Sequence, residues 1–131
     1  LVTYGSTWRL VMEAAEELEK LGISAEVIDI QSLIPFDISH EIAESVKKTN
    51  RLVIIDEDVE GGTSAFILQQ IVEKQKAFRY LDSAPLTIVA NDHRPAYASD
   101  GDYFSKPSVD DMVEKIYAVF HEANPSQFPK I

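Results

Sequence analysis

Apolar residues arrive in this chain in two alternating patterns: short β-branched runs, and stripes spaced three and four residues apart. Leu1 to Tyr4 is a short apolar run, and Gly5-Ser6 turns the chain. In "TWRLVMEAAEELEKL" Trp8, Val11, Ala15 and Leu18 share one helical face, with Glu and Lys opposite. Gly22 stands where a helix ends on a left-handed residue. "AEVIDI" predicts a second strand, and "IPFD" breaks it. Asp37 is then placed to cap a helix through "ISHEIAESVKK", with Ile38, Ile42 and Val46 as its buried stripe. "RLVII" is apolar on both faces, as a strand covered on two sides must be. The spacing predicts a long helix over 63–80 and a fourth strand in "LTIV" after Pro85. A polar loop spans Asn91 to Pro107. Ser108, with Asp111 three residues later, has the form of a capping box for a last helix through Val109, Val113, Ile116 and Phe120.

Strand and helix thus alternate four times. That order predicts an α/β three-layer sandwich, with a mainly parallel sheet and helices on both faces. A length of 131 residues suits one domain. Residues 1–121 form that domain and 122–131 a tail with two prolines, "NPSQFPKI" closing it. The opening "LVTYGS" starts within a strand, so the chain reads as excised from something longer.

Charge and composition narrow the function classes. The formal net charge of -10 opposes binding to nucleic acid or an anionic membrane and favours solubility or a basic partner. No apolar run reaches the roughly 18 residues of a membrane span. There is no cysteine, hence no disulfide framework and no thiol chemistry, and a cytoplasmic setting is expected.

In a parallel sheet, function gathers beyond the carboxyl ends of the strands. Here those ends read "YGST", "DIQS", "DEDVEGG" and "NDHR". A dinucleotide site needs G-x-G-x-x-G at the first turn, and only Gly5 is there. A P-loop needs Gly-Lys-Ser/Thr. Gly61-Gly62-Thr63-Ser64 has no lysine, and Asp56, Glu57, Asp58 and Glu60 would repel phosphate. A Mg²⁺ site would ask Asp56 and Asp58 to converge with Asp92. Hydrolysis has only Ser6, outside any G-x-S-x-G elbow, and His93 at a strand end. The plainer reading is a solvated acidic turn whose glycines allow a sharp strand-to-helix joint.

Four stretches in order carry a family resemblance: "DIQSLIPFD" from Asp29 to Asp37, "SVKKTNRLV", the acidic run into Gly61-Gly62, and Asp92 with Pro95. Together they resemble the carboxyl-terminal domain of transketolase-like thiamine diphosphate enzymes. They are most like the beta subunits of 2-oxoacid dehydrogenase decarboxylases of the pyruvate and 2-oxoisovalerate types. The likeness covers essentially the whole chain. Gln31 stands where the family usually has arginine, and Asp56-Glu57 where those beta subunits commonly have His-Glu. Arg94 precedes Pro95 in place of the usual Asp-x-Pro-x-Pro.

The resemblance implies a domain without catalytic residues, cofactor ligands or metal ligands of its own. Thiamine diphosphate and Mg²⁺ would lie in the parent enzyme, between its pyrimidine-binding and diphosphate-binding domains. This domain would help build the homodimer, and it would border the surface where the basic subunit-binding domain of the acyltransferase component docks. Glu57 is expected near a domain or subunit contact, or toward the active-site funnel. Tyr97, Tyr103 and Phe104 are the candidates for meeting a symmetry mate, as large rings in a polar loop. Asp82, Glu122 and Ile131 are the candidates for receiving the basic partner. The alternatives are a transketolase or deoxyxylulose-phosphate-synthase-like enzyme, or, in another class, a stand-alone acidic flavodoxin-like interaction module.

Overall fold

A computed structural model of the chain describes residues 1–93 and 105–131. Four strands, β1 (Val2–Thr3), β2 (Ile28–Asp29), β3 (Val53–Val59) and β4 (Leu86–Ala90), form one sheet in the order β2-β1-β3-β4. Every pairing is parallel. Period-2 alternation along β3 feeds two cores. Val53 and Ile55 face Val11, Leu18, Met112 and Ile116 on one side. Ile54 faces Ile42, Val46, Ile67 and Ile71 on the other. Helices α1 (Thr7–Lys20) and α4 (Val109–Ala123) therefore cover one face. Helix α2 (Glu41–Thr49), α3 (Thr63–Leu68) and the turns after it cover the other. This is the expected three-layer α/β architecture.

Local chemistry explains the element ends. Gly22, at φ +85°, closes α1 with two bonds: its N–H donates to Glu19 O and that of Ile23 to Leu18 O, at 3.0 and 2.9 Å. The capping box on α4 is complete. Asp111 N donates to Ser108 Oγ and Ser108 N to Asp111 Oδ2, both at 3.1 Å.

Several expectations need correction. The buried face of α1 is Thr7, Val11, Ala14 and Leu18, and Trp8 is 39% exposed. Trp8 and Ala15 lie on one flank of the Val11–Leu18 line, and the contact with α4 and the sheet buries the other flank. Helix α2 begins at Glu41, not Ile38. Asp37 and His40 both have left-handed backbones, so 38–40 form a turn that throws Ile38 outward to 75% exposure. Asp37 still caps the helix, accepting from Glu41 N at 3.1 Å and Ile42 N at 2.9 Å.

The segment 63–80 is not one α-helix. It widens into a π-helical turn over Gln69–Lys74, breaks at Lys76 (φ 60°), and closes as a 3₁₀ turn over Ala77–Tyr80. The break lets Ala77 return to the core and lets Gln75 Nε2 donate to Asp37 Oδ2 at 2.9 Å. Of "AEVIDI" only Ile28 and Asp29 join the ladder, as an edge strand with a single neighbour among the described residues.

Helix α4 continues through Glu122 to Ala123, and the residues after it fold back onto it. Phe128 is buried, with its ring 6.0 Å from that of Tyr117 and 5.2 Å from that of Phe120. The Tyr117 hydroxyl donates to Pro129 O, and His121 Nδ1 lies 2.7 Å from Phe128 O.

Candidate functional site

The parallel sheet brings Ser6, Gln31, Glu57 and Asp92 to one edge, as the strand ends require. At its centre β3 runs on through the acids before the chain turns into α3. Asp56 is fully buried. Its Oδ1 accepts from the Tyr4 hydroxyl at 2.7 Å and from Asp58 N at 3.0 Å, and its Oδ2 from Ser64 N at 2.9 Å. One carboxylate thus ties the end of β1, the turn and the first turn of α3 together. Burial, opposed by a hydrogen bond with the Thr63 side chain and reinforced by Asp56, holds the Tyr4 phenol above its usual pKa. Tyr4 therefore remains a donor at neutral pH.

The two glycines serve this joint differently. Gly61 takes φ +84°, which a side chain would strain. Gly62 has no room for one. A Cβ there would collide with the Asp58 carboxylate and lie 3.2 Å from Val59 O. Gly62→Ala should lower stability by about 1–2 kcal/mol, read as a lower urea midpoint at unchanged slope. An unchanged midpoint would mean that Asp58 moves aside freely.

The geometry separates the chemical readings. The first turn of α3 is where a phosphate would sit on a Gly-rich loop, and there Ser64 N is already bonded to Asp56. Asp56 and Asp58 do not offer a joint cation site, because Asp56 is consumed by three donors and Asp58 Oδ1 accepts from Val59 N at 2.8 Å. Among the described residues no group of three His, Asp or Glu is placed to hold a metal ion. The Ser6 hydroxyl donates to Glu57 Oε2 at 3.0 Å rather than to a histidine. These residues do not fit a diphosphate–Mg²⁺ group.

Glu57 lies beside Asp56 but points outward. It accepts from Ser6, and Lys106 Nζ lies 3.5 Å from its Oε2; both side chains of that pair are nearly half exposed. Beside them opens a cleft of about 500 Å³ whose walls include Leu10, Pro107 and Val109. Two helix N-termini, of α1 and α4, face this cleft, and the Glu57 carboxylate answers their partial positive charge.

The remaining candidates fall elsewhere. Asp82 is exposed in the loop before β4, its N–H donating to Asn50 O at 2.9 Å. Glu122 is exposed at the carboxyl end of α4. Arg51 links these two regions, bonding Ser83 Oγ at 3.3 Å and lying 4.6 Å from the Phe120 ring centroid. Ile131 is 75% exposed beyond the buried Phe128. Asp82 and Glu122 thus share the amino edge of the sheet, opposite Glu57. Tyr97, Tyr103 and Phe104 lie outside the described residues, as do Arg94 and Pro95. Sequence reasoning missed Tyr4, Ser64 and Lys106. The only signal for Tyr4 was its place at the end of β1, one strand away from Asp56.

A family model, transketolase, C-terminal domain, matches residues 1–110. The chain belongs to that family. The pyruvate dehydrogenase E1 component subunit beta of Rhizobium meliloti is 36% identical over 93% of the chain, which spans 26% of that relative. The mitochondrial subunit beta of Saccharomyces cerevisiae is 35% identical over 91% of the chain and 32% of its own length. A solved split-gene transketolase, described as an inactive beta4 tetramer, superposes with a TM-score of 0.66 at 25% identity, over 89% of this chain and 36% of that one. This transketolase C-terminal domain thus spans about a quarter to a third of the length of the relatives it matches. Among its described residues no helix is long and apolar enough to cross a membrane.

Proposed function

We propose that this domain is the non-catalytic carboxyl-terminal part of a thiamine diphosphate-dependent decarboxylase of the pyruvate or 2-oxoisovalerate dehydrogenase type, and that it serves subunit assembly and docking of the acyltransferase component. The parent would decarboxylate a 2-oxoacid and hand the acyl group to a lipoyl arm. Thiamine diphosphate and Mg²⁺, held by the parent's other domains, would supply that chemistry. The observation that supports the reading is Asp56, whose carboxylate already takes Ser64 N at the α3 turn, where a Gly-rich loop would hold a phosphate. The pyruvate dehydrogenase beta relatives support the class. The solved transketolase favours the second reading, a sugar-transferring parent, in which the domain's role in assembly is the same. A cytoplasmic setting belongs to this proposal as well.

Assembly is supported by two strongly exposed isoleucines in one loop. Ile34 and Ile38 are 87% and 75% exposed. They flank Phe36, whose ring packs edge-on against Phe66 at 6.3 Å. Asp37 and Gln75 brace the same loop. Such an exposed apolar loop fits packing against the other domains of an enzyme or a dimer mate.

Docking is tested by titrating the domain with the cognate basic subunit-binding domain. Asp82, Glu122 and the exposed surface at Ile131 would receive it. Affinity should fall about tenfold between about 50 and 500 mM salt, because exposed charges are screened beyond about 8 Å at physiological ionic strength. The pair Asp82→Asn and Glu122→Gln should flatten that dependence. Association indifferent to ionic strength would remove this role.

A further inference from the structure

No further inference is drawn: the strongest candidate, the acid-rimmed groove between the free edge of β2 and helix α2, is an unpartnered edge and face, and nothing in the structure shows what covers it.

Discussion

Asp56→Ala should destabilise this domain by about 3–4 kcal/mol, a large part of the roughly 5–15 kcal/mol that holds a domain of this size. The substitution strands three donors at once: the Tyr4 hydroxyl, Asp58 N and Ser64 N. Ser64 is itself buried, so water has little access to its N–H. Hydrogen bonds to a charged acceptor are worth about 1.5–3 kcal/mol each, and losses within one network are not additive. Asp56→Asn can keep its amide oxygen toward the Tyr4 hydroxyl and Asp58 N but then turns its NH2 toward Ser64 N, so it should recover only part of the loss. Tyr4→Phe removes one donor and leaves the carboxylate satisfied by the other two, at a cost of about 1.5–2 kcal/mol. Urea unfolding of the three variants orders them. If Asp56→Ala costs less than Tyr4→Phe, the carboxylate does not organise the joint.

Phe128→Ala is expected to cost about 3–4 kcal/mol, because the ring fills the gap between Tyr117 and Phe120 and lies against Gly22. The loss reaches beyond the cavity. Pro129 O and Phe128 O accept from Tyr117 and pair with His121, so releasing the ring loosens both bonds. Hydrogen exchange over residues 124–131 should accelerate well beyond what uniform destabilisation gives. A variant that loses stability while its last residues stay protected would show that the two polar contacts alone hold the segment.

Much of the fold was legible because period and punctuation agree. β3 reads as apolar on both faces and lies at the sheet centre, buried by helices on both sides. Gly22 and the Ser108–Asp111 pair mark helix ends by local hydrogen bonding, which needs no tertiary knowledge. The misses have physical causes. Trp8 fits its apolar stripe, yet which flank of a helix is covered depends on neighbours that local spacing does not encode, and Ile38 falls in a left-handed turn ahead of α2 rather than on the helix. The π-helical turn at Gln69–Lys74 likewise answers a tertiary need, the return of Ala77 to the core. At the site, the acidic run was visible, but its inner order was not. Asp56 and Glu57 are adjacent in sequence, and strand alternation sends one into the core and the other to the cleft. Only the fold reveals Tyr4 and Ser64 as partners of the first.

In the proposed function this domain assembles and docks, and the parent's other domains hold the cofactor. Calorimetric titration of the chain with thiamine diphosphate in excess Mg²⁺ tests it directly. No saturable heat is expected from the domain alone, and saturable binding is expected of a full-length parent that carries the other domains. Saturable binding to the isolated chain at about micromolar affinity, some 8 kcal/mol of interaction, would contradict it.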